Sequence, residues 1–204
     1  MKARMSGLAG HVALVTGSSR SSGKAIAIRL VAEGADDVVN GRSREHCEQT
    51  AQKILEVTGR SRLVLVGDVT DKPFRVHRVP EAVRRFGFID ILVNNAWNGT
   101  RINRLENKTD EMVRAAFEMA LYPALDLMNA TFPMMRDRGW GRTISVASLN
   151  GVNAHVYTVD YITTKEALRT LTRSAAREWL RYGAVANIIC PGARSDALSE
   201  IWGD

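Results

Sequence analysis

Cysteine is scarce: two in 204 residues, Cys47 and Cys190, far apart and in no CxxC pattern. A disulfide framework or a cysteine-based metal site is therefore not expected, and both thiols read as free. There is no run of about eighteen apolar residues, which argues against a transmembrane helix. The N-terminal stretch MKARMSGLAGHVALVTG starts basic, but its one apolar run, Val12 to Val15, is too short for a signal-peptide core. A cytoplasmic location is the expectation. Net charge is +6, yet the basic residues form no continuous block. A solvated basic surface that also attracts the phosphates of a small anionic ligand explains this more simply than nucleic-acid binding, so no nucleic-acid or membrane partner is expected. Neither internal repeats nor low-complexity linkers occur. What is present is ordinary globular chemistry, 45% hydrophobic and 25% charged, in a length that suits a single domain spanning 1–204 with a well-buried core.

Short apolar runs alternate with longer amphipathic stretches. Val12–Val15 reads as a buried strand. Lys24 to Ala32 reads as a helix stopped by Gly34. Val38–Val39 begins a second strand, Glu45 to Val57 a second helix ended by Gly59, and Leu63–Val66 a third strand. A helix from about Phe74 to Phe86 contains Pro80, which lacks an N–H and is expected to kink or split it. Ile89–Val93 is a fourth strand, followed by a long loop from Ala96 to about Lys108. A helix then runs from about Asp110 to Arg136, with Thr109 as N-cap and a bend expected at Pro123. Thr143–Val146, a helix from Tyr157 to Arg181 ended by Gly183, and Val185–Ile189 complete the pattern. Strictly alternating strands and helices build an α/β fold, a doubly wound (Rossmann-like) parallel sheet of order 3-2-1-4-5-6. In such sheets ligands bind beyond the carboxyl ends of the strands.

After the first strand comes Thr16-Gly17-Ser18-Ser19-Arg20-Ser21-Ser22-Gly23, then a helix. Small residues there let the backbone approach a pyrophosphate, and the helix N-terminus favours the anion. Past the second strand stand Asn40, Gly41 and Arg42, with no acidic residue to bond a ribose 2′-hydroxyl. A guanidinium suits a 2′-phosphate, so NADP(H) is favoured over NAD(H). Tyr161 and Lys165 lie four apart in YITTK, on one helical face, and Ser148 ends the fifth strand thirteen residues earlier. A cation near a phenol favours the phenolate, so Lys165 is expected to depress the Tyr161 pKa. Tyr161 can then exchange a proton with a carbonyl or alcohol oxygen that Ser148 holds by hydrogen bond.

Together these segments resemble the short-chain dehydrogenase/reductase family, particularly members similar to 3-oxoacyl-carrier-protein reductases. The features are TGSSRSSG after strand one, DVT after strand three, NNA after strand four, Ser148 with YITTK, and ICPG after strand six. The resemblance implies roles at matching positions. Gly17, Ser19, Arg20, Ser22 and Gly23 would line the phosphate loop, and Arg42 would face the 2′-phosphate. Asp68 and Val69 would hold the adenine. Asn95 and Ala96 would lie along the cofactor ribose, and Pro191 and Gly192 would border the nicotinamide. Tyr161 would touch the cofactor too, and Lys165 would bond the nicotinamide ribose. No metal is implied. Family members pair through the helices around 110–136 and 157–181, which implies a homodimer or homotetramer.

Four departures stand out. Ser21 replaces the middle glycine of the loop, where a Cβ crowds the pyrophosphate or forces an unfavourable backbone. Trp97 replaces the glycine of NNAG at the mouth of the nicotinamide pocket, with Asn98–Gly99 restoring the turn. Ala120 stands where the family has an asparagine that holds a water linking the lysine to solvent. The sequence also stops at Asp204, short of the usual substrate-binding helices and seventh strand, leaving strand six as an edge, and Arg194 and Asp196 are unusual after PG. The first reading is thus an enzyme, an NADP(H)-dependent carbonyl reductase or alcohol dehydrogenase acting on a small carbonyl or alcohol. The second is a catalytically impaired dinucleotide-binding or interaction protein. A third, a basic-surface binding module, requires steeply salt-dependent oligonucleotide binding.

Overall fold

The computed structural model describes residues 7–59, 62–97, 99 and 102–192. Six strands alternate with helices in chain order: β1 Val12–Val15, α1 Ser21–Ala32, β2 Asp36–Gly41, α2 Arg44–Thr58, β3 Leu63–Val66, α3 Lys72–Phe86, β4 Ile91–Asn94. They continue with α4 Asp110–Asp137, β5 Gly141–Val146, α5 Leu149–Val152, α6 Val159–Trp179 and β6 Ala184–Ile189. All pairings are parallel, in the order β3-β2-β1-β4-β5-β6. The sequence-predicted topology is the observed one, and β3 and β6 are the edge strands among the described residues.

Burial explains the apolar runs. Alternate residues of the central strands feed two cores on opposite faces of the sheet. Val12, Leu14, Val38 and Leu92 join Leu127, Met128 and Trp179 from the α4 and α6 side. Ala13, Val15, Val39 and Val93 join Ala27, Val31 and Ile54 from the α1 and α2 side. Local caps agree with the sequence. Thr109 Oγ1 accepts the Met112 N–H at 3.4 Å, and Gly59 ends α2 in the left-handed region at φ +69°.

Three expectations change. Pro80 does not split α3, which runs unbroken through it. Both Pro80 and Val76, whose carbonyl loses its partner, are exposed, where a lost helix bond is tolerated. The last long helix starts at Val159 rather than Tyr157, because Tyr157 has φ +67° and cannot belong to a right-handed helix. The loop after β4 holds a 3-10 turn at Leu105–Asn107, and the four-residue α5 follows β5; neither is apparent from hydrophobic periodicity.

Candidate active site

The strand order reverses between β1 and β4, and the polar residues at their carboxyl ends lock together. Thr16 Oγ1 accepts the N–H groups of Asn95 at 2.9 Å and Ala96 at 3.1 Å and donates to the Val93 carbonyl. Buried Ser18 gives its N–H to the Asn40 carbonyl at 2.8 Å and takes the Asn40 N–H on its hydroxyl at 2.9 Å. The Asn40 amide donates to the Leu65 and Gly67 carbonyls and accepts the Gly17 N–H. Sequence reasoning gave Thr16, Ser18 and Asn40 no such role. Their signal was a polar residue at the tip of an otherwise apolar strand.

This scaffold shapes the loop 17–23. Gly17 has φ +65°, and a Cβ on it would meet the Ala96 Cα at 3.0 Å. A Cβ on Gly23 would meet Asn95 Nδ2 at 2.6 Å and collide with the Gly17 carbonyl. Ser22 Oγ donates to Asn95 Oδ1 at 3.1 Å, and the Ser19 carbonyl accepts from Thr50. Arg20 is exposed at the N-cap of α1, whose first turn has no acidic residue. The donor-rich helix end and its tight glycine cradle fit a pyrophosphate. Ser21 stands in the left-handed region at φ +49°, so this departure from glycine is accommodated by strain in the backbone.

On the adenosine side, Arg42 Nη1 lies 3.8 Å from Asp68 Oδ2, with both side chains partly exposed. Asp68 Oδ1 also accepts the Thr70 N–H at 2.9 Å. Val69 is buried, and its carbonyl accepts from the buried Arg75, which pairs with Asp126 at 2.7 Å. Residues assigned to different parts of one ligand, Arg42 and Asp68, thus meet each other.

On the other side of the switch point, Ser148 caps α5 and its hydroxyl accepts the Asn150 N–H at 3.2 Å. Tyr161 and Lys165 share one face of α6. The Lys165 ammonium, 3% exposed, donates to the Val146 carbonyl at 2.8 Å and lies 5.7 Å from the Tyr161 ring centroid. Burial pulls the Lys165 pKa down to about 8. The expected depression of the Tyr161 pKa is not found. Burial raises it, and the hydrogen bond with Ser148 only opposes that rise. Burial of the phenol is the larger effect, and the ammonium, bonded to a carbonyl, sits against the ring face. Nearby, Arg169 bonds the Ser148 carbonyl at 3.0 Å and reaches Cys190 Sγ, and Lys108 pairs with Asp160 at 2.8 Å beside Tyr161. Neither Arg169 nor the Lys108–Asp160 pair was singled out from the sequence.

Trp97 packs edge-on to Tyr161 at 4.9 Å between ring centroids. Gly99 has φ +79°, as its proposed turn requires, whereas Asn98, Arg194 and Asp196 lie outside the described residues. Pro191 and Gly192 are exposed beyond β6. Ala120 borders a small cavity that Thr16, Asn94, Ala96 and Lys165 also line. Asn94 Oδ1 is buried there, and none of the described protein groups donates to it. Among the described residues, no three His, Cys, Asp or Glu side chains converge as metal ligands, and no helix is long and apolar enough to cross a membrane.

Comparison with known proteins agrees with this arrangement. The 3-oxoacyl-[acyl-carrier-protein] reductase FabG of Escherichia coli is 36% identical over 184 residues, covering 90% of this chain and 73% of the relative. L-sorbose reductase from Gluconobacter frateurii, solved with NADPH and L-sorbose, superposes with a TM-score of 0.88 at 32% identity, covering 93% of this chain and 72% of that one. An NAD+-bound xylitol dehydrogenase superposes with a TM-score of 0.85 at 29% identity, covering 90% and 70%. The family model for short chain dehydrogenases matches residues 11–201. The chain is a member of the short-chain dehydrogenase family, oxidoreductases that work with a dinucleotide cofactor.

Proposed function

We propose that this protein is an NADP(H)-dependent oxidoreductase that interconverts a carbonyl and a secondary alcohol. The observation that carries the reading is the meeting of Ser148, Tyr161 and Lys165 at the carboxyl ends of β5 and its neighbours, beside the glycine cradle. Gly17, Ser19, Arg20, Ser22 and Gly23 hold the pyrophosphate. Asp68 and Val69 hold the adenine. Asn95, Ala96, Pro191 and Gly192 line the path to the nicotinamide, and Lys165 bonds its ribose. When bound, the nicotinamide supplies or accepts the hydride. Tyr161 gives a proton to the carbonyl oxygen or takes one from the alcohol, while Ser148 holds that oxygen. The raised Tyr161 pKa keeps the phenol protonated near neutrality, which favours reduction there, and oxidation gains as pH rises.

Arg42 supports the choice of NADP(H). It leaves Asp68 for a 2′-phosphate, which carries more charge than the partly exposed carboxylate it faces. Similar structures hold either cofactor, so the choice rests on this side chain. The chain acts as a single domain on a small molecule in the cytoplasm. It assembles as a homodimer or homotetramer through α4 and α6, where Tyr122 and Leu125 of α4 are exposed.

Titration of wild type and Arg42→Asp with NADPH and NADH, followed by a screen of carbonyl compounds, tests the reading. We expect NADPH to bind wild type more tightly than NADH, and the variant to lose affinity for NADPH far more than for NADH. An unchanged preference overturns the Arg42 assignment. Tight binding with no turnover of any carbonyl favours a second reading, a catalytically impaired dinucleotide-binding protein, which the strained Ser21 and the alanine at 120 favour.

A further inference from the structure

The Lys165 ammonium is 3% exposed, and among the described residues it has one oxygen partner, the Val146 carbonyl at 2.8 Å. An ammonium carries three donors, and one removed from water needs acceptors for them. Two aromatic rings also face the Lys165 ammonium. The Trp97 ring centroid is 5.1 Å from the nitrogen and the Tyr161 centroid 5.7 Å, both within cation–π range. A ring face attracts a cation less strongly than two well-placed hydroxyl oxygens do. The indole and the sugar hydroxyls assigned to Lys165 under Proposed function are thus competitors for one cation.

We propose that Trp97 is a displaceable plug: its indole covers the Lys165 ammonium in the free protein, and the nicotinamide riboside half of the dinucleotide must push it aside to reach the lysine. The proposal rests on the cofactor role given above to Lys165. The backbone leading to Trp97 is fixed, since Thr16 Oγ1 holds the N–H groups of Asn95 and Ala96 at 2.9 and 3.1 Å. Displacement therefore falls to the side chain. Trp97 is only half-buried. The cost of moving it weakens binding of any ligand that reaches Lys165. It leaves untouched a ligand that stops at the adenine end.

The test compares wild type, Trp97→Ala and Trp97→Phe by calorimetric titration with NADPH and with 2′,5′-ADP, which lacks the nicotinamide riboside. Removing the indole should tighten NADPH binding about three- to tenfold, with the phenylalanine variant between. Affinity for 2′,5′-ADP should stay within about twofold in all three. Indole emission should change when NADPH binds wild type, and that component should be missing from Trp97→Phe. NADPH affinity that is unchanged or weaker in Trp97→Ala overturns the plug, as does an equal gain for 2′,5′-ADP, because the effect would then belong to the whole loop. If neither ligand binds any of the three proteins, and wild type does not bind NADH in the titration given under Proposed function, the dinucleotide reading itself fails and the plug falls with it.

Discussion

At the amino ends of the strands, Asp90 is fully buried and well served. It accepts the Val12 N–H at 2.8 Å, lies 2.7 Å from His11 Nδ1, and pairs with Arg138 at 3.3 Å. The same layer stacks His11 on Trp140 and sets Arg142 over that ring at 4.3 Å. At the carboxyl ends, Lys165 is as deeply buried but has one carbonyl and two ring faces, Asn94 keeps an unpartnered oxygen, and Ser21 is held at positive φ. A buried charge is costly unless it is paired. The lower layer meets that condition within the protein and so serves stability. The upper layer leaves it partly unmet, which is the state expected where a ligand completes the set.

The sharpest way to separate the two layers is to remove one oxygen from the upper one. Tyr161→Phe should cut turnover by about 10²–10⁴-fold, because only the proton exchanged with the substrate oxygen is lost. Stability should change by less than about 1 kcal/mol, the net worth of one hydrogen bond to Ser148. Steady-state rates and thermal melts of both proteins check this. Retained activity would remove Tyr161 from the chemistry. Asp90→Ala is the mirror experiment. It strands the Val12 N–H and the Arg138 guanidinium, so we expect a loss of about 3 kcal/mol in denaturant unfolding. The folded fraction should bind NADPH with wild-type affinity. A variant that melts normally but binds poorly would mean that the two layers are not separate in function.

Asp37 is the exception in the lower half of the sheet. It is fully buried on β2, neither carboxylate oxygen has a hydrogen-bond partner, and burial pushes its pKa up to about 7 despite the nearby Arg62. The folded protein therefore keeps a proton that the unfolded chain releases from about pH 4 upward. Stability falls as pH rises through that window, and the penalty is complete above pH 7. Asp37→Asn cannot ionise. It should be more stable than wild type by on the order of 4 kcal/mol at pH 8 and by only about 1 kcal/mol at pH 4.5. Urea titrations at the two pH values read this directly, and a constant difference between them would show that Asp37 does not titrate in the fold.

The strand segments and the two glycines of the loop were legible because both are local. A buried parallel strand must be an apolar run, and a close backbone approach must use glycine. What escaped was either too short or too distant. Four residues of α5 complete barely one turn, so they show no period. Tyr157 carries a positive φ that residue type does not announce. Pro80 looked like a helix breaker because exposure, which makes its missing bond tolerable, is not written in its neighbours. The spacing of Tyr161 and Lys165 correctly placed them on one face, yet it gave no sight of Val146, whose carbonyl accepts from the ammonium. Burial of the phenol, which spacing does not show either, is what reversed the expected shift of Tyr161.

The smallest effect concerns Ser21, the one position where local reasoning from the sequence anticipated strain. A left-handed conformation costs a non-glycine residue about 1–2 kcal/mol, and glycine returns roughly half of that in chain entropy on folding. Ser21→Gly should therefore stabilise the protein by about 0.5–1 kcal/mol and raise its melting midpoint by about two to three degrees. It also removes a Cβ from the loop that faces the pyrophosphate, so NADPH and 2′,5′-ADP should both bind more tightly. That joint gain distinguishes Ser21 from Trp97, whose removal acts on the nicotinamide half alone. If Ser21→Gly raises the midpoint but leaves both affinities unchanged, the strain at Ser21 belongs to the fold alone, and the upper layer is less uniformly poised for a ligand than Lys165 suggests.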